Sequence, residues 1–306
     1  MKIVFLGTPD FARTSLKALL DDRREITAVF TQPDRARGRG MRTTPSPVKE
    51  LAMEYDLPVF QPESFSDGKP TELLRELSPD LVIAVAYGRI LPEGFLSVPH
   101  MGSINLHGSL LPRYRGAAPI QWAVLNGDQT TGVTVQYMAR EMDAGDIISS
   151  RETQIGEYET SGQLFERLMI LGAELLVHTV HAIENGTAHR TPQNNEMATY
   201  TTMLDKSMSP IDWTSSPRQI VKHICGLDPW PVATARLGDT DLKIYGAQYT
   251  DNHTVLDPGH IVSADRRGIE VACGEGRTLL ITEVQPAGKK RMPAAAFLLG
   301  HPLAAG

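Results

Sequence analysis

The first thirty residues leave little freedom in the architecture. "KIVFLG", Lys2 to Gly7, is a short unbroken apolar run that suits a buried strand. "TPDFARTSLKALLDD" follows with helical spacing: Thr8 is placed to cap it, Pro9 to open it and Asp10 to sit in its first turn. "EITAVFTQ" then reads as a second strand. Strand, helix and strand in succession form a βαβ unit, which requires parallel strands joined by a right-handed crossover.

More of the same pattern follows. "DLVIAVAY", "SINLHG" and "TGVTVQYM" are apolar strands, and "AAPIQWAVLNG" and "TSGQLFERLMILGAELLVHTVHAIENG" are helical. The longer helix is introduced by a capping box of Thr160 and Gln163 and stops at Gly186. From Thr187 the chain becomes polar and weakly periodic, as a linker does. Beyond it, "ATARLG", "LKIYGAQYT", "GHIVSADRRG", "IEVACGEG" and "RTLLITEVQPAG" are short strands separated by Gly and Asp turns, which predicts a small antiparallel barrel or sandwich. Trp230, between Pro229 and Pro231, is expected in that barrel's core. The fold class expected is therefore α/β: a Rossmann-like parallel-sheet domain over residues 1–189, a linker over 190–207, and a small C-terminal β-barrel, OB-like, over 208–306. A chain of 306 residues is long enough for two such cores.

Several function classes are excluded or disfavoured. The first βα turn is "GTPDFA", without the G-x-G-x-x-G that lets a pyrophosphate approach the backbone, so a dinucleotide site is not expected. Cys225 and Cys273 are far apart and outside any CxxC pair, which predicts two buried free thiols. No HExxH occurs, and His178 and His181 read as helix surface, so no metal is expected. No apolar run approaches the roughly 20 residues of a membrane span, and the chain opens on a strand, so a cytoplasmic protein is the expectation. A formal net charge of −6 argues against indiscriminate nucleic-acid binding. One loop runs against that balance. Thr31 to Lys49 holds Arg35, Arg37, Arg39, Arg42 and Lys49 against the single Asp34.

The chemistry concentrates at "SINLHGSLLPRYRGAAPIQ". Asn105 and His107 are two residues apart on a strand and share one face, with Ile104 and Leu106 on the other. An Asn amide can donate to a developing oxyanion, and an imidazole can hold or move a proton near neutral pH. By itself the pair also suits a structural histidine. "MDAGDI" offers Asp143 and Asp146 as carboxylates that could orient the ring.

Taken together, "NLHGSLLPRYRGAAPIQWAV", "GVTVQYMAREMDAGDII", "FLGTPDFA", "FTQPDRARGRG", "PSPVKELA", "AVAYGRILP", "IDWTSSPRQI", "DPWPVA" and "QPAGKK" resemble the 10-formyltetrahydrofolate-dependent formyltransferase family over nearly the whole chain. The resemblance implies that Asn105, His107 and Asp143 form the catalytic group and that Ser109, Leu110, Leu111 and Pro112 belong to a folate-binding segment. It leaves Asp146 a loop carboxylate. 10-Formyltetrahydrofolate would be the formyl donor, and the acceptor would be the α-amine of methionine on initiator tRNA. Tyr87, Ile90 and Leu91 would supply an apolar slot for the pterin. The arginine loop, with Arg39 at its centre, would enter the tRNA acceptor stem, and Lys289, Lys290 and Arg291 would give the barrel its tRNA contact. Arg115 and Gly116 would shape the turn into the following helix. A monomer is expected. Purine-precursor, sugar-nucleotide or water acceptors would use the same catalytic group; the arginine loop and the barrel favour tRNA.

Overall fold

The computed structural model of the chain describes residues 1–37 and 42–305. Its elements begin with β1 (Lys2–Gly7), α1 (Asp10–Asp21) and β2 (Glu25–Phe30), then a small hairpin of β3 (Arg35–Arg37) and β4 (Arg42–Thr44). Next come α2 (Pro47–Glu54), β5 (Val59–Phe60), α3 (Lys69–Leu77), β6 (Leu81–Val85), α4 (Glu93–Leu96) and β7 (Ser103–His107). The middle of the chain forms β8 (Arg115–Gly116), α5 (Pro119–Leu125), β9 (Thr130–Tyr137), β10 (Ile147–Gln154), α6 (Ser161–Glu184) and β11 (Tyr200–Thr201). The remainder forms α7 (Pro217–Leu227), β12 (Ala233–Leu237), β13 (Thr240–His253), β14 (Ile261–Asp265), β15 (Gly268–Ala272), β16 (Arg277–Pro286), β17 (Met292–Pro293) and α8 (Ala294–Leu298).

The chain divides into two compact units. The first comprises Met1–Ala117, Gly132–Thr153 and Phe165–Thr201, and the second Ala118–Thr131, Gln154–Leu164 and Thr202–Gly306. In the first, a seven-stranded sheet has the order β10-β9-β7-β6-β1-β2-β5. Its members from β7 to β5 are parallel, and β9 runs antiparallel to β7. Ile3, Val4, Phe5 and Leu6 are all fully buried, as are Leu81, Val82 and Ile83, which is why these strands read as unbroken apolar runs. The chain builds outward from β1 through β2 to β5, then returns to add β6 and β7 on the other side. Strand order thus reverses between β1 and β6, the place where an open α/β sheet leaves a crevice at its carboxyl edge. Gly7 ends β1 there; a Cβ on it would stand 2.5 Å from the Ala12 Cβ, so α1 packs this close only over glycine.

One capping expectation is corrected. Helix α1 starts at Asp10 with Pro9 as its cap residue, and no side chain caps it. Thr8 faces the sheet edge instead, its hydroxyl within 3.4 Å of the Gln32 N–H and 3.5 Å of the Tyr87 carbonyl. The capping box at Thr160 and Gln163 forms as expected, with reciprocal bonds of 3.0 and 3.2 Å. His181, read as helix surface, is half-exposed and bonded: its Nε2 lies 3.0 Å from Asp22 Oδ2.

The second unit carries the antiparallel sheet, in the order β12-β13-β16-β15-β14, with β17 paired to β16. Fourteen-residue β13 changes register against β16 three times, and such bulges increase twist and curl a sheet toward a barrel. Helix α7 begins with a capping box of Ser216 and Gln219. Cys225 and Cys273 are free and buried, and burial pushes their thiols up to about 11 and about 12. Trp230 is not in the core: it is 51% exposed, in the short connection between α7 and β12, while Pro231 beside it is buried.

Candidate active site

Strand β7 pairs with β6 on one side and β9 on the other, so Asn105 sits level with Ala84 and Gln136. Asn105 is half-buried, and its amide makes no hydrogen bond with any described residue. An amide held on a rigid strand without a protein partner is free to donate to a substrate oxygen.

His107 closes the strand and is 7% exposed. Its Nε2 lies 2.8 Å from the Tyr114 carbonyl oxygen, which can only accept, so Nε2 carries a hydrogen. The other ring nitrogen, Nδ1, faces Asp143 Oδ2 at 3.6 Å. That distance is too long for a hydrogen bond and becomes an ion-pair contact only when the ring is protonated. Because Nε2–H is already spent on a carbonyl, the ring offers no free N–H as a second oxyanion donor beside Asn105.

Asp143 comes from the loop after β9 and has φ +52°, a left-handed conformation uncommon for a side-chain-bearing residue. Both carboxylate oxygens are held. Oδ2 accepts from the Gly116 N–H at 2.9 Å, and Oδ1 accepts from Gln136 Nε2 at 3.1 Å. Gly116 has φ +99°, and a Cβ there would lie 2.6 Å from the Thr201 carbonyl, so only glycine delivers this N–H.

The segment Ser109 to Pro112 forms a turn stitched to the sheet. Ser109 is fully buried and donates to the Arg113 carbonyl at 2.6 Å, while the Thr134 hydroxyl donates to the Ser109 carbonyl and accepts from the Leu111 N–H. Leu110 is half-buried and Leu111 is 7% exposed. Tyr87 and Leu91 join a core cluster with Phe30, Phe95 and Leu74, whereas Ile90 is 91% exposed and stands apart from them. Burial pushes the Tyr87 phenol up to about 12, and its hydroxyl has no partner among the described residues.

Of the basic candidates, Arg35 and Arg37 lie on β3 and Arg42 on β4, with Arg37 and Arg42 as cross-strand partners. Arg39 lies outside the described residues. In the second unit Lys289 and Lys290 are exposed. Arg291 is committed elsewhere: it pairs with Asp228 at 3.1 Å and Glu283 at 2.6 Å and stacks on Tyr245. Among the described residues no group of three or more His, Cys, Asp or Glu side chains could hold a metal, and no helix is long and apolar enough to cross a membrane.

The residues that sequence reasoning missed are polar supports. Gln136 is 2% exposed on β9 and looks like any strand residue. Gln193 and Thr199 lie in the polar stretch read as a linker, yet Thr191 bridges to Ile147, Thr199 bonds the backbone of Tyr114 and Arg115, and β11 pairs with β8.

Residues 1–180 match the formyl transferase family and residues 203–302 the formyl transferase C-terminal domain, and the chain belongs to this family of group-transfer enzymes. Methionyl-tRNA formyltransferase of Staphylococcus aureus strain Newman is 44% identical over 299 residues, covering 98% of this chain and 96% of that protein. The same enzyme from strain MW2 matches to the same extent. Among solved structures, the N-formyltransferase from Helicobacter canadensis in complex with folinic acid and dTDP-3-aminofucose superimposes with a TM-score of 0.71 at 20% identity, covering 94% of this chain and 99% of that one. HypX from Aquifex aeolicus, in complex with tetrahydrofolic acid, has a TM-score of 0.64 at 16% identity over 97% of this chain; the chain spans 47% of HypX. At these identities the two structures share the fold.

Proposed function

We propose that this chain transfers the formyl group of 10-formyltetrahydrofolate to the α-amine of methionine on initiator tRNA, a reading supported by relatives at 44% identity that are named methionyl-tRNA formyltransferase. The observation that carries the chemistry is the Asn105 amide, without a hydrogen-bond partner among the described residues, on the strand that ends at the His107–Asp143 pair.

The neutral amine attacks the formyl carbon, a C–N bond forms, and the carbonyl oxygen becomes an oxyanion. Asn105 donates to that oxygen. The amine must lose a proton, and the lone pair of His107 Nδ1 accepts it; the resulting imidazolium lies between the Tyr114 carbonyl at Nε2 and the Asp143 carboxylate at Nδ1. Collapse breaks the bond from carbon to N10, and the proton passes to N10. A low-dielectric site strengthens each of these interactions, and His107 is nearly excluded from water.

The donor's pterin is assigned to the apolar loop after β6 and to the turn from Ser109 to Pro112. Here the Tyr87 hydroxyl, without a partner among the described residues, supplies a polar group in an otherwise apolar cluster. The tRNA is assigned to the arginine hairpin and Arg39, and to Lys289 and Lys290 in the C-terminal domain. The domain division proposed is a catalytic domain over 1–189, a segment over 190–207 whose part up to Thr201 packs with the first unit, and a tRNA-contacting domain over 208–306. A monomer suffices, because Asn105, His107 and Asp143 all belong to one chain, and the proposed tRNA acceptor makes the cytoplasm its place of action.

The test is transfer from 10-formyltetrahydrofolate to charged initiator and elongator methionine tRNAs, with an amino-sugar nucleotide and water as alternative acceptors. Transfer to initiator tRNA well above the others is expected. Faster transfer to the sugar, or release of formate alone, would reject the assignment of the acceptor, and equal rates on the two tRNAs would reject the discriminating role of the arginine loop.

A further inference from the structure

We infer that Gln193, locked in orientation by Arg115, is a positioning residue that sets the Asp143 carboxylate for the transfer; the inference rests on the catalytic assignment of Asp143 above. Arg115 is 1% exposed, and no carboxylate among the described residues pairs with it. A buried guanidinium spent on neutral acceptors alone is costly, and such a group persists where it holds something in place. Its acceptors are Gln193 Oε1 at 3.1 and 2.7 Å, Asn195 Oδ1 at 2.8 Å and the Tyr200 hydroxyl at 3.2 Å.

The two bonds to Gln193 decide which end of its amide is which. With Oε1 fixed on the guanidinium, Nε2 must point the other way, and three acceptors meet it. They are the Asp143 carbonyl at 2.8 Å, the Gly145 carbonyl at 2.7 Å and Gln136 Oε1 at 3.1 Å. The first two tie down the backbone on either side of Ala144, in the turn where Asp143 holds φ +52°. The third orients Gln136, whose own Nε2 donates to Asp143 Oδ1 at 3.1 Å. The second anchor of the carboxylate, the N–H of Gly116, belongs to the residue after Arg115. Backbone and side chain of Asp143 are thus both referred to one buried arginine, and Oδ2 is left facing His107 Nδ1. That 3.6 Å contact is the one a small rotation of Asp143 would lengthen or close.

The test is a double-mutant cycle on formyl transfer with Gln193→Met and Asp143→Ala, measured in single turnover so that weak activity is readable. Gln193→Met alone should lower the rate of transfer about 10- to 100-fold, with KM for folate and tRNA within about twofold of the original. In the Asp143→Ala background the same change should cost less than about threefold, because the group it positions is gone. An equal factor in both backgrounds, or near-normal transfer by Gln193→Met beside a large loss in Asp143→Ala, overturns the positioning role alone. Near-normal transfer by Asp143→Ala brings down the assignment of Asp143 itself. If circular dichroism shows Gln193→Met unfolded, Gln193→Asn replaces it in the same cycle with the same expected and overturning results, since it keeps the amide but withdraws it by one methylene.

Discussion

His107 holds Tyr114 and Asp143 at its two ring nitrogens, donating from Nε2 to the Tyr114 carbonyl at 2.8 Å and presenting Nδ1 to Asp143 Oδ2 at 3.6 Å. The Tyr114 carbonyl fixes the hydrogen on Nε2 and so leaves the Nδ1 lone pair as the ring's proton acceptor. The oxyanion is then left to Asn105. Asn105→Ala should lower kcat by at least about 100-fold while the protein stays folded. His107→Gln retains a donor for the Tyr114 carbonyl but no proton acceptor, and should lose at least as much. Steady-state formyl transfer together with circular dichroism checks both, and near-normal turnover in either variant removes that residue from the catalytic group.

Gly116 is needed twice, for its backbone shape and for its N–H. Alanine there would place a Cβ 2.6 Å from the Thr201 carbonyl at φ +99°. Gly116→Ala should destabilise the first unit by on the order of 2 kcal/mol and, by moving the N–H that holds Asp143, lower kcat more than it raises KM. Thermal unfolding and transfer kinetics on one preparation separate the two effects.

The basic cluster after β16 divides by burial. Arg291→Ala leaves the Asp228 carboxylate, which burial already pushes upward, without its cation. A loss of about 1–3 kcal/mol is expected, read as a lower urea midpoint. Lys289→Ala and Lys290→Ala should leave that midpoint unchanged and instead weaken tRNA binding, with a shallower salt dependence of the binding constant.

The two buried thiols give a pH dependence at the alkaline end. Their ordinary value is 9.0, and in the folded protein they ionise only near about 11 and about 12. Between those limits the unfolded chain releases protons that the folded one keeps, so stability is fully present below about pH 9 and falls as pH rises through the range. A urea midpoint lower at pH 10 than at pH 8 is expected for the native protein. The difference should shrink in Cys225→Ala/Cys273→Ala. At pH 8 both thiols should resist an aromatic disulfide reagent until the protein is unfolded.

The parts legible in the sequence were those whose signal is local. Burial of β1 and β6 on both faces shows as unbroken apolar runs, and the capping box at Thr160 and Gln163 spans three residues. Asn105 and His107 share a strand face because side chains alternate, so their convergence needed no knowledge of the rest of the fold. Asp143 was reached through resemblance, since nothing local marks it above Asp146. Trp230 was misplaced because apolar character reports only a tendency to be buried, and in this connection the ring stands in solvent.

What the amino-acid order determined by itself was the succession of strands and helices and the pair of polar groups carried on β7; the strand order, with its reversal between β1 and β6, came from the fold. What only the tertiary structure decided was who holds them: Gly116 reaches Asp143 across 27 positions, and Gln193 reaches Gln136 across 57. Periodicity and capping act over a few residues and leave a trace in the chain. A hydrogen bond between distant segments depends on where packing brings them, and a glutamine in a polar stretch has the same local signature whether it faces solvent or steadies a carboxylate.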